Sequence, residues 1–348
     1  MKKLVPILLF LFSVLYLDAD VLSVTVATVN LIKPEMITSN QVDKEIEDYN
    51  RQLAMNGLPK QNISRKDMLN NMINSILILQ AAERDGVKVS DADLQKVINA
   101  QIKSVEAQVR KKITLEQFKS IVRKQTGMSW DEYIKNLKEQ IIKQTYVTQK
   151  KKSLFTSIKP PTEKEIETRY QENVTKFVSP EFIRVSMVFI STLNKSSEEK
   201  ASLKAKIEEA YKKLKNGEIS FDDAVLKYST DETAKYRGGD VGYIRRDDKN
   251  LRANLGEDFF NKLFELKVNE ISGVLVSNTG YHIVKVTEKR APKVLALNDT
   301  INPGQSMTVH DFLKNGIYQE KEQIALKKAL EEVVKELRSE AEITIFDN

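Results

Sequence analysis

Arg237-Gly238-Gly239-Asp240-Val241-Gly242, followed about forty residues later by Thr279-Gly280-Tyr281-His282-Ile283, is the pair of segments that decides how this chain folds. Alone, Gly-Gly-Asp is a turn signal, because glycine takes backbone conformations closed to other residues. Here it stands at a matching distance from Phe259, Phe264 and Ile271-Ser272-Gly273, and Tyr281 to Thr287 reads as a strand. Working outward, Phe182 to Ile190 reads as a strand, about Ser197 to Asn216 as a helix stopped by Gly217, and Ser220 to Tyr228 as a short helix. Beyond the glycine turn come a short helix near Glu257 to Glu265 and a strand at Val274 to Val276. Strands and helices in this order imply an α+β module, an antiparallel sheet covered by helices.

Aligned on those anchors, roughly Pro180 to Glu288, about a third of the chain, resembles a parvulin-type peptidyl-prolyl isomerase domain. The resemblance implies a proline pocket at Leu255 and Phe259, with Phe264 behind it. It also implies catalytic positions at Asp231, beside the substrate carbonyl, and at Thr279 and His282, the hydroxyl and second histidine of a polar network. Met187 stands on the first strand where the family usually has a histidine, and is grouped with the substrate-binding positions. Read from the residues alone, His282 is also a satisfied core histidine in a strand, Asp231 an ordinary turn residue, and Asp240 a turn cap. Without the first histidine, His282 loses a partner that would set its tautomer, so weak or lost isomerase activity is expected.

The N-terminal half reads as helices. Val24 to Val29 alternates as a strand, then Ser39-Asn40 opens a helix to about Met55, and Ser64 with Asp67 opens another that ends before Gly86. Ser90-Asp93, Thr114-Gln117, Ser129-Glu132 and Thr162-Glu165 repeat one start signal, in which a hydroxyl accepts from a free backbone N–H while an acid or amide three residues on returns the bond. In the helix after Ser64, Met68, Leu69, Met72, Ile73, Ile76, Leu77 and Leu79 make a broad apolar face, the core of a first domain. A methionine-rich face is also suited to promiscuous binding. After Pro292 comes a long charged helix from about His310 to Ser339, then a terminal strand, Glu342 to Phe346.

This order is similar to SurA-type chaperones, in a single-module layout closer to PrsA- and PpiD-type foldases. The analogy implies that the terminal strand pairs with Val24 to Val29. The expected fold class is α+β: a mainly helical N-terminal chaperone domain completed by a C-terminal helix and strand, with one parvulin-like domain. Expected boundaries are a signal peptide at 1–19, the helical domain at 20–177, the parvulin-like domain at 178–290, and the returning helix and strand at 291–348. Lys2-Lys3 and the apolar run to Leu17 read as a secretory leader, too short for the ~20 residues of a spanning helix, with cleavage plausible after Ala19.

Composition narrows the chemistry. With 55 basic and 49 acidic residues the net charge is only +6, well mixed and without aromatic interleaving, so no nucleic-acid partner is expected. No cysteine is present, which excludes disulfides, thiolate metal sites and a lipid-bearing cysteine. Two histidines, His282 and His310, far apart in sequence, leave little for a metal site or a histidine triad. No cofactor, no metal and no stable membrane span are expected. The function expected from the resemblance is a periplasmic chaperone in outer-membrane protein biogenesis, whose partners are unfolded or nascent exported proteins and proline-containing peptides. Two alternatives stay open: an active prolyl isomerase whose other segments only tether it, and a non-catalytic peptide-binding envelope scaffold.

Overall fold

The computed structural model describes residues 23–55, 57–109 and 111–346. The expected leader and its cleavage site lie outside the described residues. The chain divides into two compact units, one of Met1–Lys159 with Gln319–Asn348, the other Pro160–Tyr318.

In the first unit, strands β1 (Thr25–Asn30) and β2 (Pro34–Thr38) form a hairpin, followed by helices α1 (Ser39–Met55), α2 (Arg65–Arg84), α3 (Asp91–Val109), α4 (Leu115–Thr126), α5 (Trp130–Lys150) and α6 (Lys152–Thr156). The second unit runs through α7 (Glu163–Asn173), β3 (Val178–Ser179), β4 (Phe182–Ser191), α8 (Ser197–Lys215), α9 (Phe221–Tyr228), β5 (Asp240–Arg245), α10 (Lys249–Leu255), α11 (Glu257–Glu265), β6 (Leu275–Val276), β7 (Gly280–Arg290) and β8 (Lys293–Val294). Helix α12 (Val309–Glu340) starts in the second unit and ends in the first, and β9 (Glu342–Ile345) follows it.

Three of the four hydroxyl-led starts close as the sequence predicts; at Ser90 the hydroxyl accepts from Asp93 N at 3.1 Å, but the Asp93 carboxylate takes the Ser90 hydroxyl instead of a backbone N–H. Complete capping boxes close at Thr114/Gln117, Ser129/Glu132 and Thr162/Glu165, with two more at Ser196/Glu199 and Ser220/Asp223. Six short elements escape the sequence reading: β2, α6, β3, β5, α10 and β8. Each is too brief to show a period, and β5 begins inside the glycine segment that reads as a turn.

Antiparallel strands in the order β2-β1-β9 make the sheet of the first unit, so the strand near the chain's end pairs with the one near its start as expected. The period of two turns Ala27 and Val29 inward, where both are fully buried against α2. Met68, Met72, Ile73, Ile76, Leu77 and Ala81 face them, and Ala329, Val333 and Leu337 of α12 close the core. The two methionines of the face that is also suited to promiscuous binding, Met68 and Met72, are therefore core residues, whereas Met36 and Met55 elsewhere in the unit are exposed. A satellite cluster around Leu94, Phe118, Tyr133 and Leu137 holds α3, α4 and α5 together.

One buried amide organises the hairpin. Gln80 of α2 accepts from Leu31 N and Ile32 N at 3.0 and 3.1 Å, and donates to Lys33 O and Glu35 Oε1, both at 2.9 Å. Its side chain thereby stands in for a strand partner along the β1–β2 loop. Gln80→Leu keeps the volume but strands those backbone groups. A buried group left unpaired costs about 1–3 kcal/mol; because Ile32 and Lys33 are exposed, water can replace part of the loss, and about 1–2 kcal/mol is expected, read as an earlier urea midpoint in Trp130 fluorescence.

The second unit is built on the sheet β5-β4-β7-β6, antiparallel throughout. Ile183, Val185 and Met187 of β4, with Val284 and Val286 of β7, pack on Phe259, Phe260, Leu263 and Phe264 of α11. The alternate residues, Val188, Ile190 and Ile283, pack on Ile207 and Ala210 of α8 and on Phe221, Ala224, Val225 and Tyr228 of α9. Both faces are covered, which is why β4 reads as an almost unbroken apolar run. Outside the sheet, Ile166, Leu295, Val309, Leu313 and Ile317 form a separate cluster.

Candidate functional site

Strand register assembles the site. His282 on β7 lies opposite Phe189 on β4, and on its other side opposite Leu275 on β6. Met187 lies opposite Val284, so it shares a face with His282 on a diagonal of the same strand pair. The imidazole is flanked by two phenyl rings, Phe189 with centroids at 4.7 Å and Phe259 at 4.4 Å. Only 2% of His282 is exposed, and burial pushes its pKa down to about 3, so the ring is neutral at any physiological pH.

The turn before β7 carries the polar side. Ser277 Oγ lies 2.7 Å from His282 Nε2 and 3.0 Å from Thr279 Oγ1. Asn278 N donates to Leu255 O at 2.9 Å, and Thr192 N donates to Thr279 O at 3.0 Å, which tie the turn to the end of α10 and to the end of β4. Leu255 packs against the cluster that holds Phe259 and Met187. The other imidazole nitrogen, Nδ1, is buried with no hydrogen-bond partner.

Asp231 stands elsewhere. Its segment runs beside the opposite edge of β4, where Thr230 N donates to Phe189 O at 2.7 Å and Phe189 N to Ser229 Oγ at 3.3 Å. Asp231 Oδ1 accepts from Thr233 N and Ala234 N at 2.9 and 3.0 Å, which makes it the head of a tight turn. Phe189 therefore lies between Asp231 and His282 in the sheet row. Of the residues expected at the site, His282, Thr279, Leu255, Phe259 and Met187 gather on the α11 side. Met187 is only 8% exposed, so it can serve at most as pocket floor.

Two glycines and one aspartate shape this end of the sheet. A Cβ on Gly239 would lie 2.5 Å from Met187 O, and one on Gly280 2.1 Å from Ile190 O. Gly239, at φ +75°, also needs a left-handed backbone. Asp240 accepts from Gly242 N at 2.8 Å and pairs with Arg184, whose guanidinium holds the carboxyl below the usual carboxylate range. It is a structural cap on the start of β5.

Ser277, Asn278 and Phe189 also line or tie down this site, and the sequence reading passes over them. A signal for the first two exists: Ser-Asn-Thr-Gly between two strands is turn chemistry, in which hydroxyls and amides bond to backbone two or three residues on. Phe189 gives none, because an aromatic residue in an apolar strand looks like core.

Chemically, the arrangement offers the half-buried Leu255 over a floor of Phe259, which is only 2% exposed, beside a hydroxyl-bearing turn. Such a site can hold a proline ring and favour a twisted amide, whose barrier in water is ~18–20 kcal/mol. Among the described residues no group of His, Asp or Glu could hold a metal ion, and no helix is long and apolar enough to cross a membrane.

Comparison with known proteins agrees with this architecture. Residues 170–290 match the model of the PPIC-type PPIase domain, and residues 4–147 that of the SurA-like N-terminal domain. Chaperone SurA of Legionella pneumophila (strain Paris) is 24% identical over 263 residues, 74% of this chain and 56% of that protein. Foldase protein PrsA of Clostridium botulinum is 24% identical over 269 residues, 77% of this chain and 70% of that protein. The chain thus spans a little over half the length of the SurA relatives it matches. A solved SurA-like chaperone of Campylobacter jejuni covers 92% of this chain at 17% identity, with a TM-score of 0.34.

Proposed function

We propose that this chain, a SurA-like protein with one parvulin-type domain, is a periplasmic folding factor that holds unfolded envelope proteins, and that its isomerase activity is weak or lost. Its expected clients are unfolded or nascent exported proteins, outer-membrane proteins among them, and its parvulin-like module spans 178–290. The observation that carries the isomerase part of the reading is the lone Nδ1 of His282. Met187 occupies the diagonal position from which a second imidazole could pair with it, so the polar network ends at one histidine. Thr279 is the polar group offered to substrate, Leu255 borders the proline pocket with Phe259 and Met187 as its floor, and Asp231 borders the far side of Phe189.

A second reading, an active isomerase, draws on the intact Thr279–Ser277–His282 network. One pair of measurements separates them. The full chain should suppress aggregation of an unfolded client that contains no proline, and its protease-coupled turnover of a prolyl peptide should be low. Lost hydrogen-bonding groups in active sites commonly cost about 10²–10³-fold, so Met187→His should raise turnover by roughly tenfold or more. Vigorous wild-type turnover together with no effect on the proline-free client would replace the chaperone reading with the enzyme one.

A further inference from the structure

From Lys103 to Lys124 the sequence holds seven basic residues and only two acidic ones, so the even mixture of charge that describes the whole chain fails here. The stretch covers the end of α3, the turn after it and most of α4, and Arg110-Lys111-Lys112 fall together between the two helices. Both acids are engaged locally. Glu106 accepts from Ile113 N at 3.1 Å, which closes the turn, and pairs with Lys112 at 3.2 Å, while Glu116 pairs with Lys119 at 2.7 Å. Even so, the Lys112 side chain is 92% exposed. Lys111, Arg123 and Lys124 are exposed and have no carboxylate partner among the described residues. The same turn shows apolar surface. Val105 and Ile113 pack on the cluster of Leu94, Ile98, Phe118 and Val122 that holds α3 against α4, but Val109 and Leu115 lie beyond it and are 53% and 42% exposed. Single exposed aliphatics are ordinary; these two bracket three consecutive cations at the tip of a helical hairpin.

We infer that the α3–α4 turn is a docking surface for an anionic lipid bilayer, in which Lys111 and Lys112 meet lipid phosphates while Val109 and Leu115 enter the headgroup layer. A bilayer interface sets negative charge over an apolar interior, and the tip presents cations and aliphatics side by side to match both. A nucleic acid or a soluble polyanion would use the cations alone, and Val109 to Leu115 contains no aromatic ring to stack on a base. The segment is far too short to cross the membrane, so the attachment is peripheral and reversible. It shares no residue with the site around His282, and isomerase turnover has no bearing on it.

Cosedimentation of the full chain with sucrose-loaded vesicles tests the surface. The protein should bind phosphatidylcholine vesicles that carry ~30% phosphatidylglycerol, bind neutral phosphatidylcholine about tenfold more weakly, and leave the anionic vesicles in about 1 M salt, where the screening length falls to ~3 Å. Lys111→Glu combined with Lys112→Glu should weaken binding by about 25-fold or more, since each cation near the surface is worth about fivefold. Lys200→Glu combined with Lys206→Glu makes the same change in net charge at exposed positions of α8 and should leave binding unaltered. Val109→Ser combined with Leu115→Ser should weaken vesicle binding about tenfold and leave any binding to heparin as it was. All six side chains are exposed, and an unshifted Trp130 transition in urea confirms that each variant folds. Equal binding to neutral and anionic vesicles, or equal losses from the α3–α4 and α8 lysine pairs, overturns the inference. So does vesicle binding indifferent to the serine pair, and heparin bound as tightly as the vesicles in that case would assign the cations to a soluble polyanion.

Discussion

Gly280→Ala is expected to unfold the site end of the second unit, at a cost of about 3 kcal/mol or more. The added methyl would sit 2.1 Å from Ile190 O and 2.9 Å from Phe189 Cε2. The first obstacle is backbone, so no rotamer change relieves it. Relief comes only by parting β7 from β4, and the register there is Ser191↔Gly280, Ile190↔Tyr281 and Phe189↔His282. Opening that end removes Phe189 from His282 and releases Thr192 N from Thr279 O. Amide exchange should therefore quicken at Thr192 and along the start of β7, and the near-ultraviolet circular dichroism of the second unit should be lost at lower urea. Gly273→Ala is the control, because nothing lies within 4 Å of a Cβ there. Equal midpoints for the two variants would mean that the strand pair tolerates the crowding, and the close approach would lose its structural meaning.

How much of this was legible in the sequence depends on whether a residue acts through local pattern or through position in the fold. Caps at Thr114, Ser129 and Thr162 were readable because a cap is a local bond, three residues long. The helix Met68 to Ala82 was readable as core because its apolar face repeats with the helical period. By contrast, Gln80 sits in that same apolar run as a lone polar residue, and its four bonds reach residues 45 to 49 positions away. No window along the chain contains both partners. The site divides in the same way. His282, Thr279, Leu255 and Phe259, all marked in the sequence by motif position, lie near one another in the structure, but the interposed Phe189, which separates Asp231 from His282, follows from strand register alone. Register is a pairing between distant segments, and a single sequence states it only weakly when both faces of the sheet are buried.

Truncation after Ala341 is expected to destabilise the first unit by about 3–5 kcal/mol while leaving the second unit's transition in place. Strand β1 is the middle of its sheet only because β9 pairs with it, through Ala27↔Ile345, Thr28↔Thr344, Val29↔Ile343 and Asn30↔Glu342. Phe346 N adds a bond to Val26 O at 3.0 Å. Losing several ladder bonds at about 0.5–1.5 kcal/mol each, with the partial burial of Ile343 against the core at about 1–2 kcal/mol, gives that sum. The truncated chain would also present β1 as an open edge beside the buried Ala27 and Val29, a template for pairing with other chains. Trp130, the one tryptophan, lies in α5 of the same unit and reports its unfolding. An unchanged tryptophan transition in urea, with no rise in aggregation, would mean that β9 contributes nothing to the unit. The pairing has a kinetic consequence as well. Because Asn30 of β1 and Glu342 of β9 are 312 residues apart, the sheet of the first unit closes only across a very long loop, whereas every strand of the four-stranded sheet lies within Pro160–Tyr318. During refolding from urea, circular dichroism of the second unit should therefore recover before Trp130 fluorescence, and simultaneous recovery in the truncated chain and the full one would argue against that order.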